Sequence, residues 1–418
     1  MQKCRTACVV SLNQDGEECS MEEFKYARIG TTLYKFVDRP TANGDTIRVM
    51  IPWSYTALAA DEGKRFAATI PKFDGFCTVP MHVNYTRCVK SFYNLYEPIT
   101  HEPQAGDFPH IKMLVEHIFE EHFELGMDYL QLLYTNPVQK LPILLLVSEE
   151  RNTGKTTFLN FLKAVFQKNV TFNTNEDFRS KFNADWAGKL LIGVDEVLLD
   201  KREDSERLKN LSTAKLYKIE AKGKDRQEVE FIAKFVLCSN NESFPVIIDP
   251  GETRYWVRKI HHLDLDDPNF LQKLEDEIPA FLFYLNRRDL ATKKESRMWF
   301  DPALIHTATL DKIISASRNR TEIDMAEVLM DIMVAEGVGT IKFCKTDIRI
   351  WMEFLNYKPD MAQIRRVLHD IWKVPHAGNA DSYDTYCIDC SRASRFGPVK
   401  AKGRYYTVTK DDIKHLIC

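Results

Sequence analysis

Short apolar runs alternate with longer amphipathic stretches over residues 141–262. The runs that we interpret as strands are 141–147, 189–194, 233–238 and 254–260, and residues 155–166 between the first two predict a helix. Because these runs contain consecutive apolar residues, rather than one at every second position, the predicted strands should be buried on both faces. Strands of this kind separated by helices indicate an α/β fold with a mostly parallel sheet covered on both sides.

The 418 residues are enough for two or three domains. We place an N-terminal α+β region at 1–104, ending in the turn-rich segment 101–107. A helical collar or linker at 105–140, a core at 141–265 and a helical extension at 266–300 follow. Residues 301–418 predict a separate C-terminal domain, which we interpret as winged-helix-like because amphipathic helices precede a short strand and a basic turn.

The composition limits the class of protein. Hydrophobic residues make up 44% and charged residues 28% of the chain, as in ordinary globular proteins. The formal net charge of −3 argues against a protein that coats DNA by overall basicity, although local loops can still bind DNA. The ten cysteines are thinly spread, and neither a signal pattern nor a membrane-length apolar run occurs. We therefore expect a soluble, cytoplasmic protein with no membrane partner.

A strand, a polar turn and a helix meet around Gly154-Lys155-Thr156. In a phosphate-binding loop, backbone N–H groups and the lysine hold the phosphates, and the Thr156 hydroxyl binds Mg²⁺. The usual pattern has a glycine where this chain has Glu149, so Gly-Lys-Thr at an ordinary helix start remains an alternative. The predicted nucleotide-binding residues are Glu150, Arg151, Asn152, Thr153, Gly154, Lys155, Thr156 and Thr157.

Three downstream segments carry residues that could complete a nucleotide site. The run 190–194 ends in Asp195, a candidate Mg²⁺ ligand, and Glu196, a candidate general base that would activate water. Asn240 follows a further apolar run and could orient that water. Arg254 is our candidate for an arginine presented to a neighbouring subunit's nucleotide, with Arg258 in reserve. Each residue also has an ordinary explanation, as an acidic loop, a turn amide or a surface arginine.

In this order, the motifs resemble those of superfamily 3 helicases, in particular their viral and phage primase-helicase branch, over residues 105–290. Lys155 and Thr156 fall on the first motif, Asp195 and Glu196 on the second, Asn240 on the third, and Arg254 on the arginine finger. The resemblance implies an AAA+-like P-loop core, a hexameric ring, hydrolysis of ATP with Mg²⁺ between subunits, and translocation on single-stranded DNA. Residues 1–104 carry no carboxylate pair that we would assign to nucleotidyl transfer, so we expect a helicase without a primase domain.

Two basic segments are candidates for DNA binding. Lys222 and Lys224 flank a glycine where the resemblance implies a hairpin facing the ring channel. Lys400, Lys402 and Arg404 lie in a stretch without acidic residues, as phosphate contacts of a wing would. Solvated surface loops would have the same composition. Cys387 and Cys390 have the spacing of half a zinc site, but a structural zinc needs two further ligands, so we interpret them as free cysteines.

The sequence thus predicts an ATP-dependent replicative DNA helicase of a phage or related mobile element. Its expected partners are single-stranded or forked DNA, further copies of the chain, and primase or other replication proteins. Two alternatives stay open. One is a non-replicative P-loop NTPase in defence or regulation. The other is a nucleotide-binding DNA assembly or packaging factor that does not unwind DNA.

Overall fold

A computed structural model gives the fold, and the residues that the structure describes are 11–12, 18–19, 24–42, 46–179, 186, 188–199, 202–219, 227–265, 267–317, 320–355, 357, 360–392 and 394–417. The chain forms two compact units. The first comprises 1–246 and 252–310, and the second comprises 247–251 and 311–418. Of the predicted C-terminal domain 301–418, residues 311–418 lie in the second unit together with 247–251, and residues 301–310 lie in the first.

The N-terminal part of the first unit is built mainly from short strands. In chain order these elements are β1 (Ser11–Leu12), β2 (Glu18–Cys19), β3 (Tyr26–Ile29), β4 (Thr32–Pro40), β5 (Thr46–Trp53), α1 (Tyr55–Glu62), β6 (Lys72–Phe73), β7 (Gly75–Cys77), β8 (Cys88–Val89) and β9 (Phe92–Asn94). They form a β1-β2 pair, a four-stranded sheet of order β5-β4-β3-β6 and a three-stranded sheet of order β7-β9-β8. Helix α1 lies between β5 and β6 in this part of the unit. The predicted α+β region stays a prediction.

The elements of the predicted collar, core and helical extension follow in chain order. They are α2 (Pro109–Phe119), α3 (Phe123–Thr135), β10 (Ile143–Val147), α4 (Lys155–Phe166), β11 (Val170–Phe172), α5 (Asn175–Arg179), β12 (Leu191–Val194), α6 (Arg202–Thr213), β13 (Leu216–Ile219), β14 (Gln227–Glu230), β15 (Lys234–Ser239), β16 (Tyr255–Lys259) and α7 (Phe270–Arg287). Helix α4 has the predicted bounds, and the strand ends differ from the predicted ones by one or two residues.

The core of the first unit is a five-stranded, fully parallel sheet of order β11-β12-β15-β10-β16. Every residue of β10 is buried, because both sheet faces are covered. The predicted α/β fold with a parallel sheet is therefore confirmed. The order of the strands could not be predicted from the hydrophobic periodicity of the sequence. Strand β15 lies between β10, which leads into Lys155, and β12, which leads into Asp195.

Helix α2 places its apolar stripe in this core through Ile111, Leu114, Val115 and Ile118, which recur at helical spacing. It contacts α3 and α7, and α7 also contacts α4. Helix α7 thus contacts both the helical collar and α4, the helix that follows the candidate phosphate loop.

The second unit contains most of α8 (Ala308–Ala316), which begins in the first unit, and then, in chain order, α9 (Arg320–Ala335), β17 (Thr340–Phe343), α10 (Lys345–Phe354), α11 (Met361–Arg366), a π-helical turn (Val367–Ile371), β18 (Asp381–Ile388), β19 (Phe396–Gly403), β20 (Tyr406–Thr409) and α12 (Lys410–Ile417). Strand β17 pairs with β20, and β18 with β19, both antiparallel. Helices followed by a hairpin agree with the predicted pattern, and the winged-helix interpretation stays a prediction. In the parts of both units that the structure describes, no helix has the length and apolarity needed to cross a membrane.

Candidate functional site

The predicted nucleotide-binding and catalytic residues from Glu150 to Asn240 lie on loops, or at the start of α4, at the carboxyl edge of the parallel sheet. Val147, at the end of β10, is in register with Ser239 at the end of β15, and Val194 of β12 is in register with Leu237. The loops that follow these strands therefore emerge side by side. Open parallel sheets bind ligands at this edge.

The loop after β10 is held in a defined conformation. The Ser148 hydroxyl accepts a hydrogen bond from the backbone N–H of Glu150 over 3.0 Å. Gly154 has φ +79°, and a Cβ there would lie 3.2 Å from Cδ2 of Leu263. The N–H of Leu263 also donates to the carbonyl oxygen of Asn152 over 3.0 Å. A glycine is therefore required at position 154, immediately before helix α4.

The backbone conformation of the loop explains why Glu149 can replace the first glycine of the phosphate-loop pattern. Left-handed backbone in this loop occurs at Asn152 (φ +55°) and Gly154, and Glu149 is not among the residues with positive φ. Its backbone is therefore accessible to any residue. Glu149 is exposed, and its charge acts on Lys259 at the end of β16.

Lys155 is buried at the first position of α4, and its Nζ donates a hydrogen bond to Oγ1 of Thr153 over 2.9 Å. Burial lowers the pKa of Lys155, while the nearby Cys238 and Asp195 act in the opposite direction. No ion pair of Lys155 occurs within the described part of the chain. Helix α4 has no side-chain N-cap, so its first N–H groups also face the loop. The ammonium group and these N–H groups together suit an anion.

Thr156 and Asp195 join the two motifs. Oγ1 of Thr156 donates to Oδ2 of Asp195 over 2.8 Å, and Oδ1 of Asp195 accepts from the N–H of Glu196 over 3.1 Å. Hydroxyl and carboxylate oxygens are the ligands that Mg²⁺ prefers, and Mg²⁺ needs only one or two of them from the protein. The residues present fit a Mg²⁺ ion that also binds phosphate. Larger groups of three or more metal-binding side chains do not occur among the described residues.

Glu196 adopts left-handed backbone, with φ +56°, which is uncommon for a residue with a side chain. Asn175, on α5, holds this turn from both sides. Its Nδ2 donates to the carbonyl oxygen of Glu196 over 3.1 Å, and its Oδ1 accepts from the N–H of Leu198 over 2.9 Å. The Glu196 side chain is exposed at the sheet edge, as a carboxylate that acts on water must be.

The end of β15 supplies the next candidate. Asn240 is exposed directly after the strand, between the loops that carry Lys155 and Asp195. Its neighbours have structural roles. The Ser239 hydroxyl donates to the Val197 carbonyl oxygen over 2.9 Å, and Oδ1 of Asn241 accepts from the N–H of Phe244 over 2.8 Å. Asn240 is thus the amide at this strand end that is directed to solvent.

The two candidate arginines have different surroundings. Arg254 precedes β16, at the amino edge of the sheet, and its guanidinium forms an ion pair with Glu252 over 3.0 Å. One strand length, roughly 13 Å, separates this edge from the phosphate loop. Arg258 is only 4% exposed and pairs with Glu120 and Glu121. The reserve interpretation of Arg258 as a finger is therefore wrong, because its guanidinium is enclosed by carboxylates of its own chain.

Sequence patterns missed two residues that contact this edge. One is Asn175. The other is His117 of α2, whose Nε2 lies 3.0 Å from the carbonyl oxygen of Thr153. Isolated histidines and asparagines carry no sequence signal for such contacts, which depend on how α2 and α5 pack.

The predicted DNA-binding residues are separated in the chain. Lys222 and Lys224 lie outside the described residues, and β13 and β14 pair antiparallel on either side of 220–226. Lys400 and Lys402 are exposed on β19, and Arg404 is exposed directly after it. The thiols of Cys387 and Cys390 are free and exposed.

Comparison with known proteins supports the fold. A family of unknown function, DUF5906, matches residues 146–255, which include the candidate site but less than half of the chain. An apo structure of the C-terminal region of NrS-1 is similar to this chain at 15% identity, with a TM-score of 0.60 and coverage of 91% of this chain and 95% of that one. The fold is shared with this region of NrS-1. A second apo structure of the region, in an A form, gives a TM-score of 0.61 at the same identity and covers 92% of this chain and 96% of that chain. No curated protein matches the sequence.

Proposed function

We propose that this protein is an ATP-dependent replicative DNA helicase of a phage or related mobile element, with an AAA+-like P-loop core of the superfamily 3 type. The observation that carries the proposal is the contact between Thr156 and Asp195 beside the buried, cationic Lys155. This arrangement supports binding of a nucleoside triphosphate with Mg²⁺. The fold is shared with the C-terminal region of NrS-1.

Phosphate binding would follow from the loop geometry. Lys155 would place its ammonium against the β- and γ-phosphates, and the N–H groups of residues 150–157 would surround them. Thr156 and Asp195 would hold Mg²⁺, which neutralises phosphate charge when bound.

Hydrolysis would need a positioned water molecule. The Glu196 carboxylate would accept a proton from this water while the water oxygen bonds to the γ-phosphorus and the bond to the β,γ-bridging oxygen breaks. ADP and inorganic phosphate are the products. Asn240, on the strand between the two motifs, would orient the water with its amide. Asn175 would keep the strained turn of Glu196 in place.

Arg254 supports an assembly in which subunits share their sites. It lies at the sheet edge opposite its own phosphate loop, so it would stabilise transition-state charge only on a neighbour's nucleotide. A closed ring of identical subunits, which we take to be a hexamer, gives every site such an arginine. Arg254 Nε is buried and has no hydrogen-bond partner in the described part of the chain, and Glu252 holds the other side of the guanidinium.

DNA binding would be sequence-independent and mediated by local cations, in agreement with the low net charge. Lys222 and Lys224 between β13 and β14 would contact the strand in the ring, and Lys400, Lys402 and Arg404 would contact phosphates from the second unit. Primase or other replication proteins are further proposed partners.

ATP hydrolysis measured with and without single-stranded DNA tests the proposal. We expect Mg²⁺-dependent hydrolysis that DNA stimulates and that Lys155→Ala abolishes. Hydrolysis that is indifferent to DNA would favour a non-replicative NTPase instead. Nucleotide binding without turnover, unchanged in Glu196→Gln, would favour an assembly or packaging factor.

A further inference from the structure

The second unit contains a cavity of about 340 Å³ that lies wholly within residues 344–406. Its walls come from the start of α10, from α11 and the π-helical turn, and from the segment around β20. Cationic or ionisable nitrogen groups dominate the lining, namely Lys345, Arg365, His369, His376 and Arg404. A volume of this size falls at the lower end of small-ligand sites, about 300–1,000 Å³.

No carboxylate lines this cavity among the described residues. The acidic residue in the first turn of α10, Asp347, is held elsewhere. Its Oδ2 accepts from the N–H of Cys344 over 2.8 Å and from the Tyr383 hydroxyl over 3.0 Å. The positive charge that converges on the cavity is therefore not neutralised from within it.

Two further features favour an anion. Lys345 and Thr346 are the first residues of α10, a ten-residue helix, and their N–H groups have no partner within a helix of this geometry. On the opposite wall, Oη of Tyr406 lies 2.9 Å from Nε2 of His369 and fixes the imidazole ring. A helix start, three permanent cations and two imidazoles thus surround one space.

We propose that this cavity is a binding site for one phosphate group of a nucleic-acid strand. The charge and the volume favour a phosphate with its sugar. The choice of a strand, rather than a small phosphorylated molecule, comes from Arg404, which belongs both to the cavity and to the exposed basic row of Lys400 and Lys402. That choice rests on the proposed function, whereas the binding of phosphate does not.

The test compares two adjacent arginines of the full-length protein. Arg365 lines the cavity, and Arg366, the next residue of α11, is exposed but does not line it. Binding of a fluorescent oligothymidylate is measured by anisotropy without ATP, over a range of salt concentrations. We expect Arg365→Gln to weaken binding several-fold and to lower the slope of log affinity against log salt by about 0.7, the value for one single-strand phosphate contact. Arg366→Gln should leave both quantities close to those of the wild type.

Inorganic phosphate distinguishes the two sources of the ligand. The measurement uses Lys155→Ala as the background, so that the phosphate loop does not contribute. This protein should be protected from thermal unfolding by excess phosphate, and addition of Arg365→Gln should remove that protection at an unchanged melting temperature in phosphate-free buffer. Loss of phosphate protection without loss of DNA affinity would make a small phosphorylated molecule the ligand and would overturn the choice of a strand. Equal effects of both substitutions, or no effect of either, would overturn the site itself. Because neither measurement involves ATP, failure of the proposed ATPase would leave these results unchanged.

Discussion

Oγ1 of Thr156 donates a hydrogen bond to Oδ2 of Asp195 across 2.8 Å, although the two residues are 39 positions apart in the chain. The two residues follow β10 and β12, which lie on either side of β15 in the sheet. They can meet because the carboxyl ends of parallel strands lie at the same edge of the sheet. The contact places a hydroxyl and a carboxylate beside the buried ammonium of Lys155.

Removal of the Thr156 hydroxyl should raise the Mg²⁺ concentration needed for ATP hydrolysis. We expect Thr156→Val to require about 10- to 100-fold more Mg²⁺ for half-maximal activity, because Asp195 alone would then hold the ion. Thr156→Ser keeps the hydroxyl and should behave nearly as the wild type. A Mg²⁺ titration of the hydrolysis rate provides the measurement. Equal Mg²⁺ requirements in Val and Ser variants would contradict the assignment.

The Glu196 turn should matter for turnover rather than for nucleotide binding. We expect Glu196→Gln to lower kcat by about 10²- to 10⁴-fold, since the general base is lost. Asn175→Ala should lower kcat less, because the base is present but its strained turn has lost both side-chain bonds. Nucleotide affinity, measured with a fluorescent ATP analogue, should change little in either variant. A large loss of affinity in Glu196→Gln would show that this residue binds rather than catalyses.

Substitution of Arg258 should affect stability, whereas substitution of Arg254 should affect hydrolysis. Arg258→Met should reduce the free energy of unfolding by about 1–3 kcal/mol, because it removes the hydrogen bonds of a buried guanidinium while the remaining Glu120 and Glu121 carboxylates stay solvated. Arg254→Ala should leave the fold intact and abolish hydrolysis. Mixing Arg254→Ala subunits with Glu196→Gln subunits should restore part of the activity, since some interfaces then combine an intact arginine with an intact base. No recovery at any mixing ratio would exclude a shared site.

Buried lysines should make the first unit more stable at alkaline pH. Burial lowers the pKa of Lys140 from 10.5 to about 8, and lowers that of the fully buried Lys234 well below its usual value. The unfolded chain therefore binds more protons than the folded chain between about pH 8 and 10.5, and stability rises as pH increases through this window. Urea unfolding below and within the window should show a smaller rise in Lys140→Met than in the wild type. The exposed lysine variant Lys293→Met should keep the full rise.

The helices and strands of the core could be predicted from the sequence more accurately than their arrangement in the sheet. Apolar runs and the helical stripe of 155–166 identified β10 and α4, because burial on both faces leaves a strong pattern. The insertion of β15 between β10 and β12 is a matter of topology and leaves no such pattern. The role of Arg258 was misjudged for the same reason, since its partners lie about 137 positions away on a different element. Likewise, the contact of His117 with the phosphate loop depends on the packing of α2.

Strand displacement on a forked DNA substrate tests the central claim most directly. Wild-type protein, Lys155→Ala and Thr156→Ser are compared with ATP and Mg²⁺ under identical conditions. We predict that the wild type and Thr156→Ser release the displaced strand only when ATP is present, and that Lys155→Ala releases none while its melting temperature stays unchanged. Folded wild-type protein that hydrolyses ATP but displaces no strand, or displacement that persists in Lys155→Ala, would contradict the account.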